Sequence, residues 1–455
     1  MIVRKKASLA IAVAVYVVAA AGATPSAPVL TGSAAFGDFT ADRPGVVRHI
    51  RPGDLPAPGN AERAIGFPQM VLRPEGVQLQ TLPGFSVAEY GSGFTGPRYL
   101  TVAPNGDVFV AEQNAGKVKV LRPGANGAAP TVETFAENIR GVFGVALYPA
   151  TDPQWVYVAE SNSIKRFAYR TGDMKASGAP ETVIATLAAS TGGHVTRDIA
   201  FTQDGSRMLV SIGSQGNLPQ GQEPARTPEE LAAFEQANGV GAAWGNDTGR
   251  AGVISFTPTG QDRRSFANGL RNCVALERNP INNDFYCSVN ERDGMGDRLV
   301  PDYFTRVREG AFYGWPWYYI GANAEPRIAT ARADLATKVA TPDVLFQAHS
   351  AAVGSAFYPA NIAGPSAFPT QYRGDAFVTL HGSWNHSSRT GYKVVRVRMN
   401  NGVPTGEYED FVTGFVAAGG AVWGRPSGIA VMNDGSLLFT DPEGNKLWRV
   451  THGGQ

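Results

Sequence analysis

A short pattern recurs six times between residues 80 and 450, and this repeat restricts the possible fold more than any other feature. Each copy has an apolar strand, a turn and a second apolar strand, often followed by a third. The turns at residues 104–107, 203–205 and 433–435 combine Asp or Asn with Gly, as tight turns do. One small sheet cannot bury both of its faces, whereas a ring of stacked sheets can. We therefore predict an all-β fold, a six-bladed β-propeller with loop insertions, with two β-sandwiches as the alternative.

The copies are located by their first strands, which begin at Tyr99, Phe143, Asp198, Cys273, Ser355 and Gly428. A further strand that begins at Phe85 is expected to close the ring. The chain has 54 glycines, 31 prolines and only 17% charged residues, which also favours short strands joined by turns. Its net charge of +1 gives no reason to expect nucleic acid or an anionic membrane surface as a partner.

The N-terminus has the features of an export signal. Three basic residues open the chain, Arg4, Lys5 and Lys6. The apolar run at residues 7–21 is short for a membrane span, and a small-residue cleavage site ends at Ala23. We therefore expect a periplasmic or secreted protein without stable membrane insertion, with an uncleaved anchor as the alternative.

The chain divides into a signal peptide at residues 1–23, an extended N-terminal leader at 24–79 and a propeller catalytic domain at 80–455. The leader is rich in Pro, Gly and Ala, so it either wraps the domain or stays loose. Two insertions interrupt the repeats. Thr227 followed by proline predicts the start of a helix in the third repeat, and residues 292–350 form a second insertion. Loops of this length on a rigid scaffold often build a site.

The two cysteines, Cys273 and Cys287, flank a run of turn-forming residues at 279–284. A hairpin folded at Pro280 would set them opposite each other. An oxidising compartment then favours a cross-strand disulfide, with two free buried thiols as the alternative.

Histidine and arginine occur just before several first strands. His194 precedes the third one, where an imidazole could take a proton from a substrate hydroxyl; a histidine that caps a loop is the alternative. Arginines take the matching place in four other copies, at Arg98, Arg140, Arg271 and Arg425. Since first strands line the axis of a propeller, these arginines would form a positive well that requires an anionic ligand or internal carboxylates.

Two loops that follow second strands carry further polar residues. Residues 290–297 offer carboxylates and carbonyls around glycines, which suit calcium, although a solvated acidic turn is an equal alternative. The other loop contains His381, Trp384 and His386. Trp384 could cover a flat ligand to which His381 bonds, with rim packing as the alternative. Zinc is disfavoured because a third ligand is not evident.

Five motifs follow one another along the repeats in a defined order. They are Gly192-Gly193-His194, Gly269-Leu270-Arg271-Asn272, residues 290–297, residues 312–316 and residues 381–385. Together they resemble the glucose/sorbosone dehydrogenase family, soluble sugar dehydrogenases that use pyrroloquinoline quinone (PQQ). The resemblance is strongest to the sorbosone and pyranose dehydrogenase branch and covers about residues 80–450.

The resemblance implies a PQQ site at the propeller axis with a calcium ion beside it. His194 would be the general base that takes the proton from the anomeric hydroxyl of the sugar, while a hydride passes to the quinone. Arg271 would act in catalysis by stabilising negative charge on the reduced cofactor. The implied cofactor-binding residues are Arg271, Asn272, His381, Trp384 and Arg425. The implied metal ligands are Glu291, Arg292, Asp293 and Asp297, with Arg292 and Asp293 acting through their backbone carbonyls alongside PQQ.

The implied function is PQQ-dependent oxidation of a sugar, an aldose, sorbosone or another pyranose, with electrons passed to an external cytochrome or quinone. A calcium-dependent lactonase-type hydrolase and a non-catalytic carbohydrate-binding propeller are the alternatives. Three positions depart from the family pattern, Gly193, His386 and Ser427, and they weaken the expectation that glucose is the substrate. The sequence predicts neither the sugar nor the oligomeric state.

Overall fold

The computed structural model describes residues 28–59, 66–125, 128–219, 226–328 and 332–453. The predicted signal peptide at residues 1–23 lies outside these ranges. Within them, no helix combines the length and the apolar character that crossing a membrane would require.

The strands follow one another in antiparallel sheets. Four strands precede the first complete sheet: β1 (Val29–Thr31), β2 (Val47–His49), β3 (Gln80–Thr81) and β4 (Phe85–Ser92). Sheet I contains β5 (Pro97–Val102), β6 (Val108–Glu112), β7 (Lys117–Arg122) and β8 (Thr131–Glu137). Sheet II contains β9 (Val145–Tyr148), β10 (Trp155–Ala159), β11 (Ile164–Ala168) and β12 (Glu181–Ile184).

The next two sheets carry the long insertions. Sheet III contains β13 (Ile199–Phe201), β14 (Met208–Ile212), β15 (Gly252–Phe256) and β16 (Arg264–Asn268), and helix α1 (Pro228–Asn238) lies between β14 and β15. Sheet IV contains β17 (Cys273–Arg278), β18 (Phe285–Val289), β19 (Pro301–Val307) and β22 (Val344–Ala348). Between its last two strands, β20 (Tyr318–Tyr319) and β21 (Asn323–Ala324) pair as a short ribbon.

The last two sheets incorporate strands from the N-terminal part of the chain. Sheet V contains β23 (Ala352–Phe357), β24 (Ala376–Leu380), β25 (Lys393–Asn400) and β26 (Val403–Thr413), and β1, β2 and β3 extend it to seven strands. Sheet VI contains β27 (Ile429–Val431), β28 (Leu437–Asp441) and β29 (Lys446–His452), completed by β4.

The sheets are arranged as a closed ring. The first strand of each sheet contacts the first strand of the next, in the order β5, β9, β13, β17, β23, β27 and back to β5. Strand β4 pairs with β29 from Ser92 opposite Lys446 to Phe85 opposite His452, which confirms the predicted closing strand. The prediction of an all-β propeller is therefore confirmed.

The sheets are less uniform than the repeat predicted. Five of them are four-stranded, whereas sheet V has seven strands because the leader adds to its outer edge. The predicted insertion at residues 292–350 was too long, because β19 and β22 of sheet IV lie inside it. These outer strands were missed because no Asp-Gly turn marks them in the sequence.

The middle strands explain why the sheets stack. All five residues of β6, β14 and β28 are buried, as expected where both faces of a strand pack against neighbouring sheets. Phe109 in β6 has no exposed surface and meets the Phe135 ring edge-on at 5.1 Å. Burying such a side chain contributes about 1.5–3 kcal/mol, so the apolar runs in the repeats are the main source of stability.

Two local predictions are also confirmed. Thr227 caps α1 by accepting from the Glu230 backbone N–H, and the Glu230 side chain accepts from the Thr227 N–H in return. Cys273 and Cys287 form a disulfide between β17 and β18. The cysteines are not directly opposite, because the hairpin is centred between Ile281 and Asn282 and not at Pro280, which pairs Cys287 with Leu276 and Cys273 with Val289.

Candidate active site

Strand direction brings the predicted site residues to one end of the ring, which we call the site mouth. Backbone hydrogen bonds link the starts of neighbouring first strands there, from Gly428 to Arg98 (3.0 Å) and from Gly144 to Arg197 (3.1 Å). Each second strand runs antiparallel to its first strand and so ends at the same mouth. Segments that precede first strands therefore meet loops that follow second strands.

His194 lies at this mouth as a neutral imidazole. Its Nδ1 is 2.9 Å from the Ser214 carbonyl oxygen and 3.0 Å from the Ser214 hydroxyl. Because a carbonyl only accepts, Nδ1 carries the proton and Nε2 carries the lone pair. Burial, together with the nearby charge of Arg271, lowers the pKa of His194 to about 3. Nε2 has no hydrogen bond to any described residue, so the basic nitrogen is available.

Gly213 leaves room for His194 beside Asn272. A Cβ added to Gly213 would overlap the Asn272 side-chain oxygen and would lie 2.6 Å from the His194 Cβ. His194 and Asn272 therefore approach each other across Gly213. The Asn272 oxygen is buried, and none of the described residues donates a hydrogen bond to it. A polar group in the site would satisfy it.

Arg271 is held rigidly next to His194. Its side chain is buried, and Nη1 donates to the Glu291 carbonyl at 2.8 Å while Nη2 donates to the Asn217 side-chain oxygen at 3.2 Å. The Asp293 carboxylate lies 3.6 Å from Nη2. Burial lowers the pKa of Arg271 and the charge of Asp293 opposes that shift. Arg271 is thus a fixed positive charge at the mouth.

The mouth contains a first group, His194, Arg271 and Asn272, and a second group that consists of Arg98, His381 and Arg425. His381 Nδ1 donates to the Pro426 carbonyl at 3.1 Å, and His381 Nε2 accepts from Arg98 Nη1 at 3.1 Å, so this imidazole is also neutral. Arg425 donates to the carbonyls of His381 (3.0 Å) and Gly382 (2.8 Å). Burial and the charge of Arg425 lower the pKa of Arg98 to about 10.

The second group has a surplus of positive charge. Among the described side chains, no carboxylate forms an ion pair with Arg98, and Glu443 is 3.8 Å from Arg425. Two neighbouring guanidinium groups with so little carboxylate compensation favour an anionic ligand.

The Asp293 carboxylate contacts both Arg271 and Asn385. Asn385, four residues after His381, donates from Nδ2 to the Asp293 carboxylate and lies 3.0 Å from His349 Nδ1. Burial alone would raise the pKa of Asp293, but the contact with His349 and the charge of Arg271 lower it. The Asp293 carboxylate is therefore ionised and is surrounded by donors.

The four predicted metal ligands do not converge. The side chains of Glu291 and Arg292 are fully buried and bind each other, at 3.0 Å. Arg292 turns away from the mouth because it finds acceptors at the Pro316 (3.0 Å) and Tyr318 (2.6 Å) carbonyls. The Glu291 side chain therefore pairs with Arg292, and its role as a metal ligand stays a prediction.

The remaining predicted ligands are committed elsewhere. The Asp297 carboxylate accepts from the backbone and hydroxyl of Ser387, and the Asp293 carbonyl accepts from Asn217 (3.0 Å) and Arg327 (2.7 Å). No group of three or more His, Cys, Asp or Glu side chains suited to a metal ion occurs in the described parts of the chain. The residues do not fit a protein-only calcium site, and we derive no catalytic step through calcium.

Trp384 has an aromatic neighbour. The Phe67 ring stacks on it with centroids 5.6 Å apart, and the Gly66 N–H donates to the Trp384 carbonyl at 2.9 Å. Arg389 holds the Gly66 and Phe67 carbonyls. The leader therefore covers part of the Trp384 ring that was predicted to face a flat ligand.

Several residues of the site were not predicted from the sequence. Asn217 accepts from Arg271, and Arg250 donates to the His194 carbonyl. His349 and Asn385 contact the Asp293 carboxylate. Asn385 was within a recognised motif but had no assigned role. Asn217 and Arg250 lie in the insertion of sheet III, where no repeat positions them, so only the folded structure reveals their contacts.

The chain has relatives of known fold and one of similar sequence. An uncharacterized protein of Borreliella burgdorferi is 31% identical over 259 residues, which are 56% of this chain and 60% of that protein. The chain thus aligns with less than two thirds of that relative.

Solved structures with the same fold include two fungal proteins. The holo form of the PQQ domain of pyranose dehydrogenase from Coprinopsis cinerea has 19% identity and a TM-score of 0.63, over 85% of this chain and 100% of that one. The calcium structure of the family AA12 enzyme from Trichoderma reesei has 16% identity and a TM-score of 0.64, over 87% and 99%. The PQQ-bound aldose sugar dehydrogenase from Streptomyces coelicolor has 15% identity and a TM-score of 0.52, over 82% and 99%.

A sequence profile of the TrAA12-like family matches residues 79–301 and 322–452, which is most of the chain and nearly the whole ring. This match confirms the resemblance to the soluble sugar dehydrogenases that the motifs indicated. The chain belongs to the TrAA12-like family.

Proposed function

We propose that this protein is a PQQ-dependent sugar dehydrogenase that oxidises an aldose, sorbosone or another pyranose. The single observation that carries the proposal is the arrangement at the site mouth: a neutral His194 with a free Nε2 lies beside the fixed charge of Arg271. Family membership supports sugar oxidation in general. We further propose that strands β23–β26 of sheet V form a propeller blade like the five four-stranded sheets, which gives the propeller six blades.

The residues at the mouth suit PQQ, a flat quinone with three carboxylates. The arginine pair Arg98 and Arg425 has surplus positive charge that carboxylates would neutralise. Arg271 and Asn272 are positioned to contact polar atoms of a ligand on the His194 side. When bound, PQQ would supply an acceptor for a hydride.

The chain itself would manage the proton. His194 Nε2 takes the proton of the sugar hydroxyl, while Nδ1 keeps its hydrogen bond to the Ser214 carbonyl. The imidazolium that results is unfavourable next to Arg271, so His194 returns the proton to solvent readily. Arg271 stabilises negative charge that develops opposite the base.

The proposal is tested by reconstitution. Purified protein is titrated with PQQ, with and without calcium, and binding is followed by the absorbance of the quinone; dye reduction is then measured with a panel of aldoses. We expect His194→Gln to keep PQQ binding and to lower kcat by about 10²–10⁴-fold. Arg98→Met should weaken PQQ binding with little effect on protein folding. Absence of PQQ binding by the wild-type protein would contradict the proposal.

Two features of the proposal concern the surroundings of the enzyme. We propose that residues 1–23 direct the protein to the periplasm or the exterior, and that an external cytochrome or quinone takes the electrons. A lactonase-type hydrolase receives less support, because it would need metal-binding carboxylates and amides converging at the mouth. A carbohydrate-binding propeller without catalysis would leave sugar binding intact in His194→Gln and would show no turnover in the wild type.

A further inference from the structure

The base at the site mouth is held by two loops and not by a strand. His194 belongs to the loop at residues 190–196, which we call the base loop, and its partner Ser214 belongs to the loop at residues 213–217, the partner loop. The loops touch through their backbones: Gly193 has φ 71°, and a Cβ there would overlap the Gln215 carbonyl. Two direct hydrogen bonds also join the loops, from the His194 N–H to the Ser214 carbonyl (3.1 Å) and from the Ser190 hydroxyl to the Gln215 side-chain oxygen (2.7 Å). The loops can rotate about single bonds of this kind, so a group with several contacts on both loops is needed to fix the angle between them.

Arg250 fills this role in the structure. Its side chain is buried, with the residue 3% exposed. Its donors are distributed over both loops: Nε to the Gly213 carbonyl (2.9 Å), Nη1 to the Ser190 carbonyl, the Ser190 hydroxyl and the Gln215 side-chain oxygen (2.9 Å each), and Nη2 to the His194 (3.0 Å) and Ser214 (3.2 Å) carbonyls. None of these six acceptors is a carboxylate.

Arg250 contacts both residues that form the hydrogen bond from His194 Nδ1 to the Ser214 carbonyl. Nη2 binds the carbonyl of His194, and it also binds the Ser214 carbonyl that accepts from His194 Nδ1. Arg197 adds one donor to the His194 carbonyl at 3.0 Å. The planar guanidinium thus sets the distance between the base and the acceptor that fixes its tautomer.

We propose that Arg250 is a positioning residue for His194: it joins the base loop to the partner loop so that Nδ1 donates to Ser214 and Nε2 faces the mouth. The inference deepens the proposed function, on which its catalytic meaning rests. Arg250 does not need to touch the sugar or the cofactor. It acts by keeping the lone pair of the base on the correct nitrogen.

The Arg250→Lys variant distinguishes an effect of positive charge from an effect of hydrogen-bond geometry. Arg250→Lys keeps a positive charge, but a single ammonium cannot reach acceptors on both loops in one plane. With the loops free to move, the hydrogen bond from Nδ1 to Ser214 lengthens and the Nε2–H tautomer becomes populated. A charge effect alone would leave the tautomer of Arg250→Lys unchanged.

The first test uses the ligand-free protein with ¹⁵N-labelled histidine. The chain has six histidines, and the spectrum of His194→Gln assigns the His194 signals by their loss. We expect a single Nδ1–H tautomer for His194 in the wild type and a mixture of tautomers in Arg250→Lys. A single unchanged tautomer in Arg250→Lys overturns the proposal.

Arg207→Lys is the matched control. Arg207 also belongs to sheet III, where it binds Ser255 (2.8 Å) and Asp262 (2.8 Å) next to the start of β14, at the end of that strand away from the partner loop. The His194 signals of Arg207→Lys should match those of the wild type. A mixture of His194 tautomers in this control also overturns the proposal. If Arg250→Lys does not fold, Ser190→Ala takes its place, since it removes one acceptor of Arg250. A smaller population of the second tautomer is then expected, and none at all overturns the proposal.

The second test measures turnover. We expect Arg250→Lys to lower kcat by at least about tenfold while KM for the sugar stays within about twofold, because the base and not the substrate is displaced. A rise in KM of about tenfold with unchanged kcat overturns the positioning role of Arg250. The two proposals fail separately: a wild type that oxidises no sugar refutes the dehydrogenase, whereas the tautomer measurement tests Arg250 without turnover.

Discussion

Two histidines at the site mouth are neutral for the same reason. His194 and His381 each donate from Nδ1 to a backbone carbonyl, of Ser214 and of Pro426, and each lies near arginines. A protonated imidazole would gain no new acceptor there and would be repelled by the guanidinium groups. Their second nitrogens differ, because His381 Nε2 accepts from Arg98 whereas His194 Nε2 is free. Only His194 is therefore available as a base.

The depressed pKa of His194 predicts a loss of stability in acid. The folded-state pKa is about 3, below the ordinary 6.5, so the unfolded chain takes up a proton first as the pH falls. Stability contributed by the neutral form is present above pH 6.5 and is lost between 6.5 and 3. Urea unfolding at pH 7 and pH 5 should show that His194→Gln loses about 2 kcal/mol less than the wild type over this interval. Equal losses in both proteins would contradict this prediction.

Side-chain direction marks the limit of what could be predicted for single residues. His194, Arg271 and Arg425 were identified because each precedes a first strand, and the repeat fixes that position. The ion pair between Glu291 and Arg292 was not predicted, because the other acceptors of Arg292, the Pro316 and Tyr318 carbonyls, come from a later segment of the chain. A motif supplies the order of residues along the chain but not the partners that folding brings to them.

At the scale of the elements, the hairpin of β17 and β18 joins the site to the core. β17 begins directly after Asn272, and β18 ends directly before the loop at residues 290–297. The Cys273–Cys287 disulfide fastens the two strands close to that end. Movement of one strand relative to the other would displace Arg271 from the Glu291 carbonyl.

The disulfide is expected to contribute to stability through the unfolded state. It closes a loop with a sequence separation of 14, and such a loop restricts the unfolded chain by about 3 kcal/mol. Replacement of both cysteines by Ala should lower the free energy of unfolding by about that amount, as measured by urea denaturation. Treatment with a reductant should have the same effect on the wild type and none on the double variant.

The elements were predicted to different extents. First and second strands of the sheets were identified because they are apolar runs that flank a turn. Outer strands such as β8 and β19 were missed. Polar residues interrupt the apolar residues of β8, and no recognisable turn precedes β19. The leader strands β1 and β2 show no periodicity in the sequence, and the pairing of β2 with β26 depends on a partner far along the chain.

For the whole molecule, a buried charge network ties the leader to sheet V. Arg48 contacts Asp42 and Asp410, and Lys393 contacts the same two carboxylates, at distances of 2.7–2.8 Å. The Arg48 and Lys393 side chains have no exposed surface. The leader is therefore part of the folded propeller over the residues that form this network.

Breaking the network should destabilise the protein strongly. Arg48→Met leaves two buried carboxylates with a single cation, and the expected cost is about 3 kcal/mol. Lys117→Met is the control, because its pair with Glu137 is largely exposed and contributes less than about 1 kcal/mol. Thermal unfolding of the two variants should show a much larger drop in Tm for Arg48→Met, and similar Tm values would contradict the prediction.

The pairing of β4 with β29 has a consequence for how the chain acquires its shape. The ribosome releases β4 before any complete sheet and β29 after all of the other strands, so sheet VI can be completed only after the strands of sheets I–V have been synthesised. Until then the nascent chain is an open arc with two uncovered sheet faces. Such an arc is expected to unfold more readily than the finished ring, so the last pairing stabilises all six sheets together.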